Sequence, residues 1–300
     1  MTAISKQLDA KAEAGAVWLP LMPGLFVVLW STGFIGAKYG LPYAGPLTFL
    51  TLRFAIVAAV MLPVSLVAGA KWPRNWRAAG HVAVVGILLQ GIYLGGVYVA
   101  IAHGMSVGLS VLIVGLQPVL TAALVGLVLG EAVSRRQWLG LACGLVGVAL
   151  VVWHKLAFDA DHLAALASDT AALLGITVGT LYQKRFCADL DLRSATVIQN
   201  AAASIALLVL ALAFETMHID WRIEFVATMA WLCLGLSLGA TMLFLFLLRR
   251  GAAARITSLF YLVPPVTAFM AYLLFGETLG ATALAGMAFT ALGVALVNRG

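Results

Sequence analysis

The chain has 300 residues, of which 63% are hydrophobic and 10% are charged, and its formal net charge is +6. Soluble domains are about a quarter charged, so this composition excludes an ordinary globular protein. The basic residues lie in short clusters between apolar runs, which indicates a membrane topology signal and excludes a nucleic-acid-binding face.

Ten apolar segments follow one another along the chain. Each is long enough to cross roughly 30 Å of hydrocarbon. Runs such as Val82 to Ala102 are apolar on every face, which predicts helices, because barrel strands alternate apolar and polar positions. In the sixth segment, Asp169 is interpreted as a helix N-cap beside Ser168. The predicted spans 1 to 10 are Val17–Lys38, Pro46–Ala68, His81–Ala102, Val107–Leu129, Gln137–Trp153, Ser168–Phe186, Ser194–Phe214, Phe225–Leu248, Ile256–Phe275 and Leu279–Val297.

The distribution of basic residues gives an independent test of these spans. Lys and Arg are in excess on cytoplasmic loops. With the N-terminus inside, the inside segments hold 14 of the 18 basic residues and the outside loops hold only Lys155 and Arg222. Removing one span would reverse every later loop and destroy this sorting. The distribution therefore predicts ten spans with both termini in the cytoplasm.

The chain also repeats itself at an offset of 146 residues. The run from Gly147 to Val151 recurs from Gly293 to Val297, and Lys38 matches Lys184. Each copy has five spans, an odd number, so the second copy enters the membrane from the opposite side. We expect an all-α membrane protein built as an inverted repeat, with residues 1–154 and 155–300 around a central cavity. Many secondary transporters place their substrate site between such halves.

Polar and aromatic side chains inside the spans are the candidates for lining this cavity, because polar groups in hydrocarbon are costly and usually face the bundle interior. Packing or interfacial anchoring remains the alternative for each of them. Arg53 lies about 10 Å inside span 2, where it either has a structural role or anchors a substrate carboxylate. The substrate-binding candidates are Trp30, Thr32, Lys38, Gln90, Tyr93, Tyr98, Gln117, Tyr182, Gln183 and Tyr261.

Three prolines are candidates for hinges, since each removes an amide donor inside span 4 or span 9: Pro118, Pro264 and Pro265. Glu131 and Glu277 stand at corresponding helix ends, where a structural role at a helix dipole is favoured over coupling.

No Asp or Glu is predicted near the centre of a span, which favours uniport, or coupling through a less obvious group such as His103. The sequence has no nucleotide-binding loop, hydrolase motif or metal-ligand spacing, so we expect no cofactor, no metal and no enzymatic activity.

Several short motifs occur together in this order along the chain: Trp30 to Phe34, Leu52-Arg53-Phe54, Gln117-Pro118, Gly130-Glu131, Pro264-Pro265 and Gly276-Glu277. With them, and with five plus five spans, the chain resembles the drug/metabolite transporter superfamily, EamA type, over its full length. The resemblance implies a cavity surrounded by helices 1 to 4 and 6 to 9, with helices 5 and 10 outside. Members mostly export amino acids and other small metabolites from bacteria, and one branch exports aromatic amino acids.

The second half departs from a symmetric pattern. Ile176 stands opposite Trp30, and Gln199 stands opposite Arg53. These departures argue against a two-fold symmetric substrate site.

The expected function is alternating-access export of small metabolites, foremost amino acids with aromatic or apolar side chains, across the bacterial inner membrane. The expected partners are a small-molecule substrate and membrane lipid, without nucleic acid, and the protein is expected to be a monomer.

A broad-specificity drug exporter is the main alternative, because a loosely specific apolar cavity leaves little trace in sequence. A nucleotide-sugar or sugar-phosphate exchanger is less favoured, because it needs several converging Lys or Arg side chains. A lipid-modifying membrane enzyme needs titratable groups gathered at one interface.

Overall fold

The computed structural model describes residues 21–117, 119–121, 123–124, 135, 138–140, 142–143, 146, 160–187, 190–240, 243, 247, 262–277, 280–281, 284–289 and 292. Most of predicted spans 5 and 10 lies outside the described residues. The same is true of the hinge candidate Pro118 and the cavity candidate Tyr261.

Eight described helices account for most of this part of the chain. Helices α1 to α4 correspond to predicted spans 1 to 4, α5 to α7 to spans 6 to 8, and α8 to span 9. By length and composition, five of them, α2, α3, α5, α6 and α7, are able to cross a membrane. The helices are α1 Met22–Gly40, α2 Pro46–Val67, α3 Trp76–Ala102, α4 Val107–Val114, α5 Ala160–Phe186, α6 Leu192–Phe214, α7 Ile223–Ala240 and α8 Val263–Phe275.

Local sequence explains where the helices begin and end. The side chain of Asn75 accepts a hydrogen bond from the amide of Ala78 at the start of α3, and Ser106 accepts one from the amide of Leu109 at the start of α4. Helix α8 ends at Gly276, whose φ of +64° lies in the left-handed region that glycine adopts without strain. The predicted boundaries of span 2 hold to within one residue, and the predicted starts of spans 3, 4, 7 and 8 lie within five residues of the helix starts. The predicted starts of spans 1 and 9 and the predicted ends of spans 4 and 8 lie outside the described residues.

Helix packing follows the two-fold relation expected of an inverted repeat. Helix α2 packs along α6, and α4 packs against α8. Helix α1 contacts α7 and α8, while its repeat partner α5 contacts α3 and α4 in the reciprocal arrangement. The largest fully buried side chains, including Phe49, Tyr98 and Phe225, lie in one core that both halves share.

Two π-helical segments interrupt α-helices at corresponding positions. In α3 the segment covers Ile87–Leu94, and in α7 it covers Trp231–Ala240. The two segments end 146 residues apart, which is the offset of the sequence repeat. Such wide turns occur frequently at functional sites. They carry Gln90 and Tyr93 in the first half and Ser237 in the second.

The structure corrects the interpretation of Asp169. Helix α5 begins at Ala160, eight residues before the predicted start, because Ala- and Leu-rich residues continue the helix outward. Asp169 therefore lies about 14 Å inside the helix, and its N-cap assignment is wrong. Its side chain is fully buried. The expectation that no carboxyl group lies near the centre of a span rested on that assignment and loses its support, since Asp169 is the tenth residue of a 27-residue helix.

Candidate functional site

Arg53 is a buried cation at the contact between the two halves. Its exposed fraction is 3%, so the side chain does not reach the membrane surface. Nη1 donates a hydrogen bond to the Tyr98 hydroxyl oxygen at 3.3 Å, and Nη2 donates one to Ser237 Oγ, also at 3.3 Å. Nε has no hydrogen-bond partner among the described residues. None of the ion pairs between described residues includes Arg53.

Three helices position this arginine. Buried residues recur every four positions along α2, at Phe49, Arg53 and Val57, so they share one helix face. Tyr98 comes from α3 just beyond its π-helical segment, and Ser237 comes from the π-helical segment of α7. The guanidinium group therefore has partners from both sequence repeats.

Aromatic rings pack next to Tyr98, the hydrogen-bond partner of the arginine. The ring centroids of Phe49 and Tyr98 are 5.5 Å apart, and Phe225 meets Phe49 edge-on at 5.5 Å. The Arg53 guanidinium carbon is 5.7 Å from the centroid of the Phe54 ring. Aromatic faces attract cations and accept apolar groups. The arrangement places a buried cation, whose Nε lacks a partner within the described part of the chain, beside a tightly packed aromatic core.

A second buried polar group lies between α4 and α5. Ser110 Oγ donates a hydrogen bond of 2.7 Å to Asp169 Oδ1, and both side chains are fully buried. Helix α3 packs closely beside them, since a side chain at Gly96 would collide with the carbonyl oxygen of Ser168. Tyr93, on the π-helical segment of α3, interacts electrostatically with both Asp169 and Arg53. Helix α3 borders both buried polar groups, through Tyr98 at Arg53 and through Gly96 beside the residue that precedes Asp169.

One of the predicted residues of α1, Thr32, contacts the second half. Thr32 Oγ1 accepts a hydrogen bond of 3.0 Å from Trp231 Nε1 and donates one to the Leu29 carbonyl oxygen. The half-buried Trp30 packs against Phe26, with ring centroids 5.4 Å apart. These contacts place Thr32 at the junction between α1 and α7.

Lys38 lies near the C-terminal end of α1. Its Nζ is 2.5 Å from Glu277 Oε1 and 4.7 Å from the centroid of the Phe275 ring. Glu277 also accepts hydrogen bonds from the amides of Val107 and Gly108, so it caps α4. A pocket of about 380 Å³ opens beside this contact; it is lined by Lys38, Leu41, Pro42, Ile101, Ala102, Gly104 and Met105.

The remaining predicted residues lie elsewhere. Tyr182, near the inner end of α5, has its hydroxyl 2.7 Å from His81 Nδ1, and the half-buried Gln183 follows it. Along α3, His81 is about 25 Å from Tyr98. Gln117 donates a hydrogen bond to Thr121 Oγ1, and Gln90 is half-buried on its π-helical segment. The structure thus brings Tyr93 and Tyr98 to the buried polar groups and leaves Tyr182 and Gln183 at another level.

The two described hinge candidates stand at a helix start. Helix α8 begins at Val263, so Pro264 and Pro265 lie in its first turn. Prolines are tolerated there because the first amides of a helix have no intrahelical acceptor. Within the described residues they begin a helix, whereas the sequence predicted them inside one.

Sequence reasoning missed part of the buried set. Arg53 stands out in the sequence as a charge inside a span, but the sequence leaves open whether it has a structural role or anchors a carboxylate. Ser110 and Ser237 lie in almost continuously apolar runs, where a single serine gives little signal. The carboxylate of Asp169 was visible, but the boundary error placed it at a helix end.

Known proteins share both sequence and fold with this chain. The model of the EamA-like transporter family matches residues 20–153 and 166–299. The chain is 23% identical over 291 residues to the uncharacterized inner membrane transporter YedA of Escherichia coli (strain K12), and the match covers 94% of this chain and 92% of that protein.

A second relative matches over a shorter stretch. It is the probable amino-acid metabolite efflux pump of Salmonella typhimurium, which is 28% identical over 161 residues, covering 54% of this chain and 52% of the pump. A solved crystal structure with 18% identity superposes with a TM-score of 0.64 and covers 92% of this chain and 96% of its own.

The family match settles the class of the protein. The family has a ten-helix membrane fold, which confirms the fold class predicted from the sequence. Its members are transporters, which also confirms the expectation that the chain is not an enzyme. This chain is a multi-pass membrane transporter that belongs to the EamA-like transporter family.

Proposed function

We propose that this transporter exports amino acids with aromatic or apolar side chains across the inner membrane. The observation that supports the proposal is the buried Arg53, which has two neutral hydrogen-bond partners and no carboxylate partner among the described residues. A buried charge without a counterion is costly. A substrate that brings a carboxylate would therefore bind favourably at this arginine.

The surroundings of Arg53 suit the rest of such a substrate. Guanidinium and carboxylate groups form short, charge-assisted and often bidentate hydrogen bonds. Phe54 lies 5.7 Å from the guanidinium carbon, and Tyr98, which is hydrogen-bonded to the guanidinium group, packs against Phe49. These rings are buried in the conformation seen here, and separation of the helices would expose them to a substrate. An amino acid would place its carboxylate at Arg53 and its side chain against these rings.

The contact between Lys38 and Glu277 suits an outer gate. It joins α1 to the loop after α8, and Glu277 joins that loop to α4. The Lys38 side chain is 36% exposed, so breaking this ion pair costs little. The sequence repeat assigns Lys184 and Glu131 to the equivalent positions at the opposite face; Glu131 lies outside the described residues. If the Lys38–Glu277 contact and its Lys184–Glu131 equivalent closed alternately, the cavity would open to one face of the membrane and then to the other. We call the Lys38–Glu277 contact the outer corner.

Relatives and charge distribution support the rest of the proposal. One relative is named a probable amino-acid metabolite efflux pump, and another is named an inner membrane transporter. The excess of Lys and Arg on the inside segments supports cytoplasmic termini. The remaining parts of the proposal are a monomeric protein in contact with lipid, working without nucleic acid and without a cofactor.

Purified protein in liposomes tests this proposal. We expect uptake of labelled L-phenylalanine, L-leucine or a related amino acid, and Arg53→Ala should weaken it about tenfold to hundredfold, since it removes hydrogen bonds to a charged group. Arg53→Lys keeps the charge without the planar fork and should be intermediate. Arg222→Ala is the matched control, because Arg222 is exposed and pairs with Asp220.

Two results would reject the amino acid assignment. One is the absence of flux for every amino acid in the panel. The other is transport by Arg53→Ala at the wild-type rate. Efficient export of cationic dyes would favour the drug-exporter alternative. The buried Arg53 repels cations, so a substrate site at this arginine would not accept such dyes.

A further inference from the structure

Asp169 is a fully buried carboxyl group inside a membrane-spanning helix. Oδ1 accepts the hydrogen bond from Ser110, whereas Oδ2 has no hydrogen-bond partner among the described residues. No described ion pair includes Asp169. Interior carboxyl groups are rare in membrane helices and commonly carry ions or protons.

The groups facing Asp169 are neutral or distant. Helix α5 packs against α3 and α4. From α4 the facing polar group is Ser110, and from α3 it is Tyr93, which also interacts with Tyr98 and Arg53. The other titratable or charged groups described on α3 and α5, and at the loop that follows α3, lie towards the helix ends: Arg77, His81, His103, Asp161, His162, Tyr182, Lys184 and Arg185.

This geometry makes the charge of Asp169 dependent on conformation. In the closed environment seen here, an ionised carboxylate would be a buried charge with a single hydrogen bond, so the neutral acid is favoured. Water that reaches the group when the helices separate would solvate the charged form, and the proton would leave. A group that binds a proton in one state and releases it in another couples protons to the conformational cycle.

We propose that the Asp169 carboxyl is a proton-binding site through which inward proton movement drives export. An O–H bond forms when the carboxylate takes a proton from water on the outer side, and it breaks when the proton passes to water on the cytoplasmic side. One proton enters for each substrate molecule that leaves. The inference rests on the proposed direction of transport, export, and holds for any exported substrate.

Infrared difference spectroscopy of the reconstituted protein tests the site without a substrate. A protonated carboxyl has a C=O stretch that disappears on ionisation, so titration should reveal a band that persists to neutral pH. Asp169→Asn should lose this band, and Asp161→Asn should keep it, because the Asp161 side chain is 81% exposed. Absence of the band from wild-type protein, or its persistence in Asp169→Asn, would overturn the proposal.

A flux assay tests the coupling. With labelled L-phenylalanine and no membrane potential, a pH gradient of one unit should drive about tenfold accumulation for one-to-one exchange. Asp169→Asn should abolish this accumulation but retain exchange of substrate for substrate, and Asp169→Glu should partly restore it. His103→Gln should behave like wild type, since His103 lies at the exposed outer end of α3 beside Asp161.

The two assays separate the two proposals. A band that depends on Asp169, with no L-phenylalanine flux, rejects the substrate and keeps the proton site. Proton coupling at this residue is rejected if flux in the wild-type protein does not depend on the pH gradient. It is also rejected if Asp169→Asn still accumulates substrate in response to the gradient. Loss of accumulation in His103→Gln alone would assign the coupling to the histidine instead.

Discussion

Thr48 and Glu215, which lie 167 residues apart, are joined by two hydrogen bonds at the start of α2. The carboxylate accepts from the Thr48 amide at 2.8 Å and from its hydroxyl at 2.6 Å, and it also accepts from the amide of Leu47. Glu215 therefore caps α2 from the other half of the chain, as Glu277 caps α4. Two helices of the first half begin on carboxylates supplied by the second.

Removing the Glu215 cap should destabilise the protein. Glu215→Ala leaves two amides and a hydroxyl without their acceptor, which costs about 1–3 kcal/mol. Glu215→Gln keeps an acceptor oxygen and should cost less. The midpoint of thermal unfolding in detergent measures both changes, and Glu224→Ala, at an exposed position in the first turn of α7, serves as the control. Equal midpoints for Glu215→Ala and the control would contradict this role.

Tethering the outer corner should block transport. Lys38→Cys and Glu277→Cys, combined in a background without Cys143, Cys187 and Cys233, can be joined by a short bifunctional thiol reagent. We expect flux to stop after joining and to recover on cleavage of the linker, because the corner has to open in each cycle. Each single-cysteine variant controls for the reagent. Unchanged flux after complete joining would show that this corner does not move.

The partners of Arg53 should affect affinity more than rate. Tyr98→Phe and Ser237→Ala each remove one hydrogen bond of 3.3 Å to the guanidinium group. We expect a rise of about twofold to tenfold in the KM for the transported amino acid, since one such bond contributes about 0.5–1.5 kcal/mol. Concentration dependence of initial flux measures it. Cys143→Ser, which is remote in sequence from this cluster, is the comparison, and a KM unchanged in both variants would separate the arginine from the substrate.

Acid should weaken the loop before α6 through Asp191. The hydrogen bond from the Arg193 side chain, aided by bonds from the amides of Lys71 and Arg193, holds the pKa of this carboxyl well below its ordinary value of 3.8. Because the pKa is lower in the folded protein, the stabilisation is present above the ordinary value. It is lost as pH falls towards the folded one.

Unfolding measurements across acid pH test this dependence. The thermal midpoint of the wild-type protein should fall as pH drops below about 4, the ordinary range for Asp. Asp191→Asn should have a lower midpoint at neutral pH and a flatter profile in acid. Asp220→Asn is the control, because Asp220 forms an equivalent but more exposed pair with Arg222. Parallel profiles for Asp191→Asn and the wild type would exclude the charge as the cause.

The sequence predicted the helices well and the buried site only in part. Apolar length located α2 to within one residue, because membrane thickness and a flanking proline both set its start. The same criterion placed the start of α5 too late, because charged residues in its first turn, such as Asp161, are typical of a loop. As a result, the sequence assigns Asp169 to the helix end rather than to its interior. The partners of Arg53 could not be predicted, because they come from helices that only tertiary packing brings together.

The π-helical segments determine the direction of the side chains that follow them. A π turn, closed by hydrogen bonds between residues five apart, holds more residues than an α turn. If the same residues formed α turns of 3.6 residues each, every later side chain would rotate about the helix axis. In α3 that rotation would turn Tyr98 away from the arginine without altering a single contact residue. The wide turns thus set the angular register of the part of α3 that carries Tyr98.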